Sequence, residues 1–480
     1  MLRTTSRPMS AIPEGWDQSA PKNRGVEILD ILELLSRHLT PTLCQTVFQE
    51  VRQTERERKW TLEAIVRFWT AMIVQHPPSL THGIAQTRKA GGGRDPVWPR
   101  VEAEVNAFFE KCWALRPDFF RALYEGFTDN LLQDAPEASA RWMMALREHF
   151  PQVLVIDGSR LDGVAHRLKL LWPVHSVILP GAVTVFYDLF RGITRRVVFY
   201  PDVAEPEVTR AQSEFDWIAR GSLVMGDRLY SSMQHFHLLI EMGLHGLFRK
   251  NARLKIKRLR VLSAKQVGRR FLEDVLVEVG CGVRWSEPKL TLRFIRYRAQ
   301  GLKLDLLTSV MGPEKLSAEQ AVELYGLRWS IERLFLDLKK TLKMHGLYAS
   351  HPNLVAQQVY ATAMVYNAFR VAQAHIAVRA KVLPEQISPA KLFPVLARCS
   401  YEWAISRRTA IGFYEANPGV QFKEPDWGKM PFAAVELGEV LLQRRNSHRR
   451  KRHGCEVRTP WQSFAHVPGG PTLIRSFSGN

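Results

Sequence analysis

The sequence predicts a mixed α/β fold in which a layer of short strands and helices lies between two helical regions. Three observations carry that prediction. Residues 1 to about 150 place apolar side chains at helical spacing. From residue 151 the pattern changes to short β-branched runs alternating with helical stretches. After about residue 318 helical periodicity returns and continues to about 415.

In the first block, Val26 to Leu39 places Ile28, Ile31, Leu32, Leu34 and Leu35 on one stripe, and Trp60 to Val74, Trp98 to Phe109 and Phe119 to Leu132 repeat the pattern. Gly91-Gly92-Gly93, followed by Arg94-Asp95-Pro96, reads as a loop. Val153 to Ile156 is an apolar run that ends in Asp157-Gly158. Ala182 to Leu189 and Thr194 to Tyr200 read as strands joined through Arg191-Gly192, and Pro206 to Ala219 as a helix. Ser222 to Met225 is a fourth strand-like run, and it too leads into an aspartate, Asp227. Tyr230 to Met242 reads as a helix and Gly246 to Phe248 as a short strand. The order β-β-β-α-β-α-β implies a mixed sheet with helices on its faces.

Arg249 to Arg260 holds seven Lys or Arg in twelve positions, and strand-like runs follow at Leu276 to Val279 and Leu290 to Tyr297. This segment, about 250–302, reads as a basic β insertion. Leu306 to Ser309 returns to strand character, and Ala318 to Leu342 reads as one long helix. The expected divisions are a helical N-terminal domain at 1–150, an α/β domain at 151–350, a helical region at 351–440 and a basic tail at 441–480. The tail packs Arg444, Arg445, Arg449, Arg450, Lys451 and Arg452 into nine residues.

Charge bounds the partners. The chain has 67 Lys plus Arg against 47 Asp plus Glu, a net charge of 67 − 47 = +20. That balance favours a polyanion, nucleic acid first. No apolar run of about 18 residues is present, so a membrane span is not expected. Met1 to Gln18 lacks the apolar core of a secretory signal. The five cysteines, Cys44, Cys112, Cys281, Cys399 and Cys455, are dispersed and never in C-x-x-C pairs, so neither a disulfide framework nor a thiolate zinc site is expected. The expected location is cytoplasmic.

The chemistry is expected at two places. Asp157 and Asp227 each end an apolar strand. If those strands are parallel neighbours, both carboxylates emerge where ligands bind in open α/β sheets. Two close carboxylates with oxygen-only ligation suit Mg²⁺ or Mn²⁺; the plain alternative is two turn aspartates. On the long helix, Tyr325, Arg328, Glu332 and Lys339 fall within an arc of about 60° at about 100° per residue. A carboxylate flanked by cations suits metal and phosphate; the alternative is a solvated amphipathic face.

Tyr-x2-Arg-x3-Glu-x6-Lys, read at Tyr325, Arg328, Glu332 and Lys339, resembles the Y-R-E-K signature of the fourth numbered bacterial insertion-sequence family of DDE transposases. The local run Leu324 to Glu332 and the two upstream aspartates resemble the family's context, over about 151–375. The resemblance implies an RNase H-like catalytic domain with a β insertion before the glutamate. It implies Asp157, Asp227 and Glu332 as the catalytic, metal-binding triad, holding Mg²⁺ (or Mn²⁺), two ions. Tyr325, Arg328 and Lys339 would hold phosphates of the element's ends, with Ser159 and Arg228 assisting. Lys255, Lys257 and Arg258 of the basic cluster and Trp285 of the insertion are further expected DNA contacts.

The implied activity is cleavage of the terminal inverted repeats and strand transfer into target DNA by a homodimer at the bacterial nucleoid. It proceeds by in-line attack without a covalent protein–DNA intermediate. In hairpin-forming relatives a flipped base stacks on a tryptophan just before the strand leading to the catalytic helix. Leu304 stands there in this chain, and Trp285 is the expected alternative platform. The alternatives carried are a nuclease of the same fold without strand transfer and a transposase-derived DNA-binding protein without catalysis. His235 and His237 lack a metal-ligand partner pattern and read as structural. A helix-turn-helix within Leu62 to Thr87 would read the ends.

Overall fold

The computed structural model describes residues 25–27, 31–51, 59–89, 97–136, 141–161, 181–202, 205–280, 288–299, 301–344, 346–398 and 434–436, with residues 203 and 204 and the other intervening segments outside it. Its centre is a nine-stranded sheet. In chain order the strands are β1 (Val153–Arg160), β2 (Ala182–Asp188), β3 (Ile193–Tyr200), β4 (Leu223–Gly226), β5 (His245–Arg249), β6 (Ile256–Val267), β7 (Arg270–Val279), β8 (Leu290–Ala299) and β9 (Leu302–Thr308). Their spatial order is β3-β2-β1-β4-β5-β9-β8-β7-β6. Strands β1, β4 and β5 run parallel to one another, and β2 lies antiparallel between β1 and β3. Beyond β5 every pairing is antiparallel. All seven residues of β2 are buried, as expected for a strand covered on both faces.

Helices cover the first half of the sheet on both sides. The N-terminal helices are α1 (Ile31–His38), α2 (Pro41–Glu50), α3 (Leu62–Gln75), α4 (Leu80–Lys89), α5 (Val105–Ala114), α6 (Pro117–Asp134) and α7 (Arg141–Ala145). Within the α/β layer lie α8 (Glu207–Gln212), α9 (Met233–Glu241), α10 (Ala318–Gly326) and α11 (Trp329–Leu336), and α12 (Pro352–Ala380) follows. One apolar core joins α3, α5, α6 and α12 to one sheet face, while α8 and α9 close a second core on the other. Because α12 is buried on nearly all sides, its polar residues need internal partners. Gln357 accepts from Trp69 Nε1 at 2.9 Å and donates to the Cys112 carbonyl at 2.7 Å. Asn367 accepts from the Thr194 hydroxyl at 2.7 Å and donates to the Thr194 carbonyl at 2.8 Å. Thus the N-terminal helices, α12 and strand β3 share a core and its polar ties. A short ribbon pairs Gly25–Glu27 with Ala434–Glu436. No helix among the described residues is long and apolar enough to cross a membrane.

The expected single helix over Ala318 to Leu342 is not continuous. It stops at Gly326, resumes at Trp329, and unwinds into a π-turn at Asp337–Thr341. The calculated arc therefore does not carry across the segment. The helix expected at Pro206 to Ala219 is only the six residues of α8. Part of the basic cluster 249–260 is strand, since β6 begins at Ile256. The helical stretch expected over 352–415 is α12 followed by residues 389–398; beyond 398 it lies outside the described residues.

The antiparallel strands are anchored to the loop before α10 by one buried residue. Arg293 is fully buried, pairs with Asp274, and donates to the carbonyls of Val310 at 3.1 Å and Leu316 at 2.8 Å. Arg293→Met removes three partnerships and leaves the Asp274 charge buried, so a loss of about 3–5 kcal/mol is expected in urea unfolding. Adding Asp274→Leu to that variant should recover much of it, because the unpaired charge is what costs.

Candidate active site

Strand register creates the site. Val155 of β1 pairs with Met225 of β4, and Met225 with Leu247 of β5. Counting two residues on from each brings Asp157, Asp227 and Arg249 to one level on three adjacent parallel strands, spaced about 4.8 Å apart. Asp157 Oδ1 accepts the Gly158 N–H at 3.0 Å, and Asp227 Oδ1 accepts the Leu229 N–H at 2.6 Å. Burial first, then Glu207, pushes the Asp157 carboxyl up to about 7, with Asp227 adding to the rise and Arg328 opposing it.

The broken helix faces this row. Tyr325 closes α10 and is buried, and its phenol is pushed up to about 12 by burial, with Arg328 opposing and Asp227 adding. Arg328 stands in the break between α10 and α11. Its Nη2 donates to Glu332 Oε1 at 2.7 Å, and its guanidinium carbon sits 5.9 Å from the Tyr325 ring centre and 5.3 Å from that of Trp329. Lys339, in the π-turn, donates from Nζ to Ser159 Oγ at 2.7 Å, which fixes the turn against β1. Pairwise links thus join Asp157 to Arg328, Asp227 to Tyr325, Arg328 to Glu332 and Lys339 to Ser159. A cavity of about 430 Å³ adjoins them, lined by Arg249, Lys303, Leu304, Tyr325, Arg328 and Trp329 among others.

The opposite face of α10 carries a different kind of group. Glu323 is pushed up to about 7 from 4.5, by burial and by Glu319, which itself pairs with Lys265 at 3.1 Å. Between those two pH values the folded chain holds a proton that the unfolded chain has released, so Glu323 makes stability fall as pH rises through this window and then level off. Glu323→Gln is expected to flatten that part of the melting-temperature profile. At pH 8 it should stabilise the chain by roughly 1–2 kcal/mol, after allowance for solvent reach.

Other expected site residues fall elsewhere. Arg228 is exposed in the turn after Asp227. Lys255 and Lys257 are exposed at the start of the β6 edge. Arg258 is held by Glu273 at 2.5 Å. Trp285, Gly91 to Pro96 and the basic tail lie outside the described residues. His235 is buried against Gln212, with Gln212 Nε2 3.0 Å from its Nδ1, and His237 Nε2 sits 2.8 Å from the Pro288 carbonyl. Within Leu62 to Thr87, α3 is largely core and α4 is more exposed. Sequence reasoning missed Glu207, saw Trp329 only as part of the Leu324 to Glu332 context, and saw Arg249 only as one charge in a cluster.

Among the described residues no three His, Cys, Asp or Glu side chains converge closely enough to share one ion. Glu332 is turned onto Arg328. Even so, the donor set suits a hard divalent cation: Asp157 and Asp227 present carboxylate oxygens at one level on adjacent strands.

Comparison with known proteins gives three findings. Residues 182–368, fewer than half of the 480, match the family model described as the transposase DDE domain. The matched span includes Asp227, Tyr325, Arg328, Glu332 and Lys339 and begins after Asp157. No curated protein matches the chain. Among solved structures, the cryo-EM structure of the piggyBac transposase synaptic complex with hairpin DNA is similar at a TM-score of 0.35 and 11% identity, covering 84% of this chain and 89% of that one. A likeness at that score carries no weight for the fold or the function.

Proposed function

We propose that this chain is a DNA transposase that cuts the ends of its own element and joins them to target DNA. The observation that carries the reading is the level pair Asp157 and Asp227 on adjacent parallel strands, faced by the Tyr325–Arg328–Glu332 segment within the span that matches the DDE domain. The catalytic layer is RNase H-like in this reading. The five-strand core β3-β2-β1-β4-β5, in which β2 alone is antiparallel, supports it.

Asp157, Asp227 and Glu332 would hold Mg²⁺ or Mn²⁺, two ions in this reading. When bound, the metal supplies Lewis-acid activation of the attacking oxygen and stabilises the leaving one. Arg328, once released from Glu332, clamps a phosphate through its planar fork of donors. Lys339, next to β1, adds a point charge, and Tyr325 offers its phenolic proton to a phosphate oxygen. No side chain is asked to form a covalent bond to DNA. Lys255, Lys257 and the rest of the basic edge meet the backbone outside the site. Trp285, the expected platform for an unstacked base, lies outside the described residues, and Trp329, which lines the cavity with Leu304, would offer a second aromatic ring for that role. Two protomers, one on each element end, act in the bacterial cytoplasm at the nucleoid.

The test is a plasmid carrying the gene's own flanks. Cuts at the flanks that appear only with Mg²⁺ or Mn²⁺, followed by joining to a second plasmid, are the expected result. Cuts without joining would reduce the function to a nuclease, and binding without cuts would overturn the enzyme.

A further inference from the structure

Glu207 begins α8 on a different element from every other acidic residue of the site, yet the fold brings its carboxyl against Gly158, the residue after Asp157. The hydroxyl of Tyr230, a buried residue, donates to Glu207 Oε1 at 2.8 Å. Both glycines beside the strand aspartates make room for this pair. A Cβ on Gly158 would sit 2.6 Å from the Glu207 carboxyl carbon, and a Cβ on Gly226 would sit 2.8 Å from the Tyr230 ring. Neither glycine has a positive φ, so close approach and not backbone freedom explains the missing side chains. The helix itself is tied down: Tyr200 donates to the Arg210 carbonyl at 2.9 Å, and Arg210 donates to the Glu205 carbonyl at 2.6 Å. A carboxylate fixed by a buried phenol against a glycine is built in place, since a solvated surface glutamate needs neither device.

We propose that Glu207, held by Tyr230, is a fourth carboxylate of the cation site and positions the divalent ion through Asp157. The inference rests on the transposase reading of that site. Glu207 acts from outside the Asp157–Asp227 pair, and its charge adds to the attraction that draws a cation between those strands.

The test is Mn²⁺ binding to the full-length chain without DNA, followed by the electron paramagnetic resonance of the free ion. Glu207→Gln keeps the shape and the acceptor for Tyr230 and is expected to weaken Mn²⁺ binding about tenfold. Tyr230→Phe should weaken it in the same direction, about threefold, by releasing the carboxylate. Melting temperatures identify any variant that fails to fold, and the other then decides. Wild-type affinity in a folded Glu207→Gln variant, with binding lost in Asp157→Asn, would overturn the role of Glu207 alone. Wild-type affinity in Asp157→Asn as well, or no Mn²⁺ binding by the wild type, would overturn the cation site and the proposal with it.

Discussion

Glu332→Gln should leave binding of the element's ends close to wild type and lower metal-dependent cutting roughly 10³-fold, equivalent to about 4 kcal/mol of transition-state stabilisation. The substitution keeps the side chain's length and an oxygen to accept from Arg328, which now donates to Glu332 at 2.7 Å. The α11 segment should therefore stay in place, and an unchanged melting temperature is part of the expected result. What is lost is a charge that an amide cannot supply to a divalent ion. Asp157→Asn and Asp227→Asn should behave alike, and pairs of these substitutions should cost little more than one, because groups acting as a unit are not additive. Cutting by Glu332→Gln at the wild-type rate would remove Glu332 from the reaction. A uniform loss of both binding and cutting would instead make it a structural partner of Arg328.

The sequence made the two aspartates visible because an apolar run that stops at an acidic residue is a local pattern. It could not show their alignment. That depends on which strands are neighbours and on their register, with Val155 opposite Met225, a contact between positions 70 residues apart. Glu207 was hidden for the same reason. Within Glu207-Val208-Thr209-Arg210 it reads as an acid in a helix's first turn, and only the fold brings it against Gly158, beside Asp157. A signal was nevertheless present in Asp157-Gly158 and Gly226-Asp227, where a glycine beside each aspartate announces close approach of another group. Gly326 likewise marked the end of α10 inside what the apolar periodicity presented as one helix. The buried polar ties of α12 were visible as odd residues in an apolar helix, but their partners, such as Trp69 for Gln357, lie hundreds of positions away.

Arg328→Gln is expected to move two measurements in opposite directions. In the free chain Arg328 serves as the internal counter-ion of the site. Its side chain is 13% exposed, it donates to Glu332, and against the opposing effect of burial Tyr325 and Glu332, then Asp157, hold its proton. It thus competes with an added cation for the same carboxylates. Removing its charge should tighten Mn²⁺ binding to the free chain about tenfold, a fraction of the roughly 4 kcal/mol that such a pair reaches at an effective dielectric near 20. Cutting of the element's ends should fall about 10²-fold over the same substitution, because the guanidinium is then absent where the phosphate's charge develops. The divergence is the discriminating feature. A residue that only held α11 in position would weaken both when lost, whereas a counter-ion that is handed from Glu332 to DNA must oppose the metal in one state and assist the reaction in the other. Tighter Mn²⁺ binding with slower cutting would therefore mean that DNA arrival, by drawing Arg328 away, completes the carboxylate set, and that the site is assembled only on its substrate.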